Sequence, residues 1–272
     1  MGIPGLSAWT SVRAGCDDTG ATTLPSRARA GLPMIHGLEA RATANRRLVA
    51  VEGEKAVRAR LMGSKGTKII TIDPAKFEES QLLPAAEAVK EGRLVVFPTE
   101  TVYGVGCRHD SESARDEIYA LKHRERAKPL GMYLLSAADL RNHAVMTAAA
   151  ERLAQAFLPG PLTIVLAGRD GDKIGFRVPS DRVSRALIAL SGITLAGTSA
   201  NLSGQASPVT GEEALAAMEG KVDVIINGGK TEWGRESTVI DLSGERPVVL
   251  REGCISLNEL SEVLGENVEK GF

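Results

Sequence analysis

From Lys68 onward the chain switches repeatedly between two hydrophobic periods, and nothing else in it constrains the fold as much. Short runs rich in β-branched and apolar residues read as strands: "KIITI", "RLVVF", "LGMYLL", "LTIVLAG", "IGFRV", "ITLAG", "VDVIIN", "STVIDL" and "PVVLR". Between them, residues 80–91, 111–122, 147–157, 181–190, 211–218 and a stretch from Ser256 have helical spacing. Ser111 is placed to cap one of these helices, and Gly92 to stop another. Interleaved strands and helices predict an α/β domain. The last two strands flank Ser243-Gly244, a short connection that predicts an antiparallel hairpin and so a mixed sheet. A chain of 272 residues is long enough to bury a substantial core in one or two domains.

Residues 1–66 do not share this alternation. They hold ten Lys/Arg against five Asp/Glu, several breakers and no clear period. They read as a loosely attached or disordered N-terminal extension, with 67–272 as the folded domain. Arginines and small residues give the extension some character of a targeting peptide, but Asp17, Asp18 and Glu39 argue against one. Met62 as the true start is an equally simple account.

Several function classes are disfavoured. The net charge of −1 does not suit a protein built around one basic face. Cys16, Cys107 and Cys254 are widely separated, and the four histidines form no H-E-x-x-H pattern, so no metal site is predicted. The scattered cysteines suit a reducing compartment, and no apolar run reaches the length of a membrane span. A soluble, cytoplasmic protein is the expectation. Gly229-Lys230-Thr231 imitates the end of a P-loop, but Val224 stands where its first glycine belongs.

Four polar islands fall at strand ends: 98–106, 122–130, 198–208 and 228–238. Ligands of α/β proteins collect at such positions. In "FPTETVYGVG", a buried-looking strand is followed by Thr99, Glu100, Thr101 and two glycines. A hydrogen-bonded turn with no ligand explains that stretch equally well. In "LKHRERAKPL", extended alternation would point Lys122, Arg124 and Lys128 the same way. Such a trio would favour a polyphosphate, although a solvated charged loop has the same composition. "GTSANLSGQASPVTG" offers hydroxyls, an amide and free backbone N–H groups for an anion or a ribose, or merely for a capped loop.

The order and spacing of these islands carry a resemblance. "FPTETVYGVG", "LKHRERAKPL", "FLPGPLTIVL", "FRVP", "GTSANLSG", "GRESTVIDL" and "VVLREGCI" together resemble the YrdC/Sua5/TsaC family of threonylcarbamoyl-AMP synthases, from about residue 67 to about residue 265. The resemblance implies a twisted mixed sheet with flanking helices around a large concave cavity. It implies condensation of L-threonine, bicarbonate and ATP, with Mg²⁺, into threonylcarbamoyl-AMP and pyrophosphate. Partner proteins would then transfer the threonylcarbamoyl group to adenosine 37 of tRNA. By position, Thr101, Tyr133, Arg177, Ser199 and Ser237 would form the threonine pocket. Tyr133 stands where some relatives carry His or Asn. Lys122, Arg124, Lys128, Thr163, Asn201, Ser207 and Arg251 would form the nucleotide pocket, with Lys122 and Arg124 at the reacting phosphate.

Two rivals share parts of this pattern. A cationic concavity could bind double-stranded RNA or tRNA without catalysis, and weak tRNA affinity is compatible with the synthase as well. A similar domain serves carbamoyl transfer inside hydrogenase-maturation proteins, alongside acylphosphatase and zinc-finger segments that are not seen here.

Overall fold

The computed structural model describes residues 66–271; the expectations for residues 1–65 lie outside the described residues. Within these, the strands are β1 (Lys68–Thr71), β2 (Val95–Phe97), β3 (Gly104–Arg108), β4 (Gly131–Tyr133), β5 (Leu162–Ala167), β6 (Lys173–Arg177), β7 (Leu195–Ser199), β8 (Val224–Asn227), β9 (Thr238–Asp241), β10 (Val248–Arg251) and β11 (Glu269–Lys270). The α-helices are α1 (Leu83–Lys90), α2 (Glu112–Lys122), α3 (Leu140–His143), α4 (Ala148–Phe157), α5 (Arg182–Ser191), α6 (Gly211–Met218) and α7 (Leu257–Leu264). Most helix starts follow the rule that a side-chain oxygen satisfies an orphan N–H of the first turn. Ser111, Thr147, Asp181, Thr210 and Ser256 all cap in this way.

The strands form one mixed sheet in the order β1-β8-β2-β3-β7-β4-β6-β5-β9-β10-β11. β9 and β10 pair antiparallel, the hairpin expected from Ser243-Gly244, with an irregularity between Val249 and Arg251. Two strands were not legible in the sequence, the two-residue β11, which pairs parallel with β10 beyond the expected last strand, and β3. Gly104–Arg108 looks like part of a polar loop, because glycine is depleted in strands. It is nonetheless β3, antiparallel to both β2 and β7. Its glycines are needed because the Phe97 ring lies on them. A Cβ on Gly106 would come within 3.0 Å of that ring.

Period-2 alternation decides what each face carries. Leu162, Ile164, Leu166, Phe176, Met132 and Ile240 point to a fully buried cluster beneath α4 and α7. A second cluster unites Val96, Val105 and Ile225 with α2 and α6. On the other side, Val95, Phe97 and Leu195 pack under α1 and α5, with Tyr133 at the edge of that cluster. Cross-strand partners share a face. Tyr133 pairs with Arg177, and Arg177 with Thr163. Where the apolar cover ends at Tyr133, the same face continues with a guanidinium and a hydroxyl.

Candidate active site

The β2–β3 connection holds the first group of polar side chains. Thr99 organises it: its hydroxyl donates to Val102 O (2.6 Å), accepts from the Thr101 and Val102 amides, and meets Thr101 Oγ1 at 2.9 Å. Thr101 Oγ1 also accepts from Arg177 Nη2 at 3.3 Å. Arg177 Nη2 is ion-paired to Glu100, whose other oxygen accepts from the Ser180 and Asp181 amides at 3.1 and 3.3 Å. Glu100, Thr101 and Arg177 are all buried. A charged pair is tolerated at that depth only when its remaining lone pairs are satisfied, and the Glu100 carboxylate meets that condition.

A second group gathers where β9 begins and β10 ends. Ser237 Oγ meets Thr163 Oγ1 at 3.0 Å and accepts from Arg251 Nη2 at 3.1 Å. Arg251 Nε donates to Ser237 O at 3.1 Å, and Arg251 Nη1 pairs with Glu236. Ser207, from the loop after β7, donates to the same Glu236 carboxylate. Thr163, expected on the nucleotide side, therefore sits between Arg177 and Ser237, two residues expected in the threonine pocket.

Lys122 ends α2 and is directed inward. Its Nζ donates to Asn201 Oδ1 (3.1 Å) and to Ser199 O. Ser199 Oγ donates to the same Asn201 oxygen. The Asn201 amide nitrogen holds its own loop, donating to Leu202 O and Gln205 O at 3.1 and 2.6 Å. The Ser199–Asn201 pair thus forms the cradle for one buried ammonium. Burial is the main reason the Lys122 pKa falls from 10.5 to about 8. Arg124 adds to that fall, and Glu236 opposes it.

Electrostatic reach joins the groups. Arg124 has its pKa lowered, first by burial and also by the nearby Arg251. The Tyr133 phenol is pushed up chiefly by burial, while it feels Arg177 and Arg251 from one sign and Glu100 and Glu236 from the other. By strand pairing, Tyr133 lies beside Arg177. Its edge-to-face contact with Phe97 (5.6 Å between centroids) fixes the ring. Gly197 makes room for it, since a Cβ there would come within 3.1 Å of the ring and 2.8 Å of Val105 O.

The segment after Lys122 departs from the sequence reading. Extended alternation does not occur. His123 takes a left-handed conformation (φ 49°) that ends α2 and reverses the chain. Arg124 then folds back to donate to Lys128 O (2.8 Å) and Pro129 O (3.1 Å). Lys128 turns outward, 66% exposed, toward Glu125 at 3.4 Å. Lys122 is thus held by Ser199 and Asn201, Arg124 is tied back to its own loop, and Lys128 turns outward.

Glu100 and Glu236 were given no role from the sequence, yet each is the counter-ion of a clustered arginine. A signal was there to be read. Each directly precedes an expected site hydroxyl, in "TET" and in "REST". What was missing was a partner, because each arginine lies at least fifteen residues away.

The segment that carries these residues also matches a known family. The model of the Sua5/YciO/YrdC family, described as "Telomere recombination", matches residues 87–253. This chain belongs to that family. Within it, a threonylcarbamoyl-AMP synthase of Pyrococcus abyssi is 39% identical over 201 residues, covering 70% of this chain and 59% of its own length. A threonylcarbamoyl-AMP synthase of Bacillus subtilis is 32% identical over 223 residues, covering 78% of this chain and 64% of its own. The chain therefore spans about three-fifths of the length of these relatives. The solved P. abyssi Sua5 complexed with L-threonine superposes with a TM-score of 0.72 at 38% identity, over 75% of this chain and 63% of that one. The family's mixed sheet with flanking helices is the fold described above. Among the described residues, no helix is long and apolar enough to cross a membrane.

Proposed function

We propose that this chain is a threonylcarbamoyl-AMP synthase, a nucleotidyl-transferring enzyme. It joins L-threonine, bicarbonate and ATP to give threonylcarbamoyl-AMP, pyrophosphate and water, the first step of threonylcarbamoyladenosine formation on tRNA. One observation carries the reading. Cations and hydroxyls distant in sequence are held together by side-chain contacts: Thr101 with Arg177, Ser237 with Thr163 and Arg251, and Lys122 with Asn201. Similarity to the P. abyssi protein, solved with L-threonine, supports the same reading.

In this proposal Thr101, Arg177, Ser237, Ser199 and Tyr133 receive threonine, with Arg177 for its carboxylate and the hydroxyls for its hydroxyl and amine. Lys122, Arg124 and Arg251 receive the phosphates. Asn201, Ser207 and Thr163 position those cations and hydroxyls, and Lys128 guides the nucleotide from the rim. The chemistry explains the composition. Threonine's free amine takes up CO₂ from bicarbonate to form an N-carboxylate. A carboxylate oxygen attacks the α-phosphorus, and pyrophosphate leaves with the electron pair of the broken P–O bond. Both reactants are anions, so fixed cations must overcome their repulsion and stabilise the charge that grows on the leaving oxygen. Holding the two in contact can itself supply ~7–11 kcal/mol of the acceleration.

Among the described residues, no group of three or more His, Cys, Asp or Glu is arranged to hold a metal ion. Glu236, the carboxylate among the phosphate-binding cations, already pairs with Arg251 and Ser207. Mg²⁺ in this proposal arrives on ATP, its ligands are phosphate oxygens, and no protein step depends on it. The mixed anhydride formed is short-lived in water, so a transferase acting on tRNA must collect it, in the cytoplasm.

The test is pyrophosphate release with each substrate omitted in turn. Release should require threonine and bicarbonate together, and should fall by at least ~100-fold in Lys122→Ala or Arg124→Ala. Release that proceeds without threonine, or that survives both substitutions, would refute the proposal.

A further inference from the structure

The geometry points to Glu100 as a positioning residue that sets how the amino-acid end recognises a carboxylate. This rests on the synthase reading only for the identity of the ligand. The starting observation is an imbalance within one guanidinium. Arg177 is 4% exposed, and its Nη2 is committed to Glu100 and Thr101. Its Nη1 is buried without any hydrogen-bond partner. Among the described residues, Thr231 Oγ1 is the one other buried side-chain atom in that position. A buried N–H of a cation with no acceptor is costly, and such an atom in a folded protein calls for an explanation. A ligand oxygen supplies one.

Glu100 determines which nitrogen is left over. Its carboxylate cannot swing to meet the whole guanidinium, because its second oxygen is tied to the Ser180 and Asp181 amides at the start of α5. That anchor is favourable in itself, since a helix N-terminus attracts negative charge. The consequence is a one-sided pair. Glu100 takes Nη2, prevents the guanidinium from rotating, and leaves Nη1 as the donor for substrate. It also neutralises Arg177, so recognition of the incoming carboxylate depends on N–H direction more than on net charge. A threonine zwitterion suits such a site better than a simple anion does.

The experiment measures threonine and ATP affinity by calorimetry, alongside pyrophosphate release, for wild type, Glu100→Gln and Glu100→Asp. The amide places an NH₂ group against either Arg177 or the two backbone amides. The shorter acid keeps the charge but cannot reach both. Each should weaken threonine binding by at least about tenfold. ATP affinity should stay within about twofold, and turnover at saturating threonine within about threefold. A residue that only supports the fold would instead lower thermal stability and the active fraction, leaving the threonine affinity of the remaining active protein unchanged. In wild type labelled with ¹⁵N-arginine, Arg177 Nη2 should already be resolved without threonine, and addition of threonine should shift Nη1. That measurement decides the question even if neither variant folds.

Threonine affinity within about twofold of wild type in both variants would overturn the inference, as would a shift confined to Nη2. Wild type that binds threonine yet releases no threonine-dependent pyrophosphate would remove the synthase reading and leave this inference to be judged on the affinities. Wild type that binds no threonine would overturn both.

Discussion

Arg177–Glu100–Thr101 and Arg251–Glu236–Ser237 are built to one local plan. In each, a glutamate precedes a hydroxyl residue, and one arginine pairs with the glutamate while donating to the hydroxyl. Their surroundings differ. The side chains of Arg177 and Glu100 are 5% and 1% exposed, whereas those of Arg251 and Glu236 are 44% and 32% exposed. A buried pair is expensive to separate, because the survivor is left charged in a poor solvent. A half-exposed pair contributes little and exchanges easily, because water and salt compete for both partners. The same arrangement of arginine, glutamate and hydroxyl therefore makes a rigid recognition element in one place and an exchangeable one in the other. For a site that must hold a small amino acid in a fixed pose and admit and release a polyphosphate, that division is physically sensible.

Stability measurements on the two arginines would break this comparison most directly. Arg177→Met should cost about 3–5 kcal/mol in urea unfolding, since Glu100 stays buried without its partner. Arg251→Met should cost less than about 1 kcal/mol and respond to salt. Equal losses would mean that exposure does not separate the two triplets.

The pH dependence of nucleotide binding sharpens the exchangeable side, which Lys122 senses through Glu236. The folded-state pKa of Lys122, about 8, lies below its ordinary 10.5, so the folded protein gives up this proton more readily than the unfolded chain. The stability penalty of the buried ammonium is thus fully present below pH 8. It is relieved as pH rises from about 8 towards 10.5. ATP favours the charged form. Its affinity should therefore fall, by up to about tenfold, as pH rises above 8, and binding near pH 8.5 should take up protons. Calorimetry in buffers of different ionisation enthalpy would detect that uptake, and its absence would mean that Lys122 keeps its charge throughout.

A smaller effect is expected from Glu236→Gln. Glu236 occupies Arg251, which is proposed to receive the phosphates, so removing its charge should tighten ATP binding by about threefold. Stability should change by less than about 0.5 kcal/mol. Weaker ATP binding in that variant would make Glu236 a support for Arg251 instead of its competitor. The smallest effect concerns the N-terminal extension, which we propose is not part of the catalytic unit. Deleting residues 1–60 should leave threonine-dependent turnover within about twofold. A large loss would show that the exchangeable side is completed by a segment outside the described residues.

Residue order alone was enough to establish the α/β class, the β9–β10 hairpin, the helix cap at Ser111 and the family. These depend on period, on caps and on motif spacing, all of which are local along the chain. Thr101, Lys122, Asn201 and Ser237 fell within the polar islands at strand ends, whereas Arg177 and Arg251 were nominated only by the resemblance to the family. Three matters waited for the tertiary structure. A glycine-rich strand was recognisable only once Phe97 lay upon it. The cations of 122–128 separated only when the left-handed turn at His123 sent Lys122 inward and Lys128 out. Glu100 and Glu236 acquired a purpose only when arginines distant in sequence arrived beside them. In each case the deciding energy comes from contacts between distant segments, and no local propensity encodes burial of that kind.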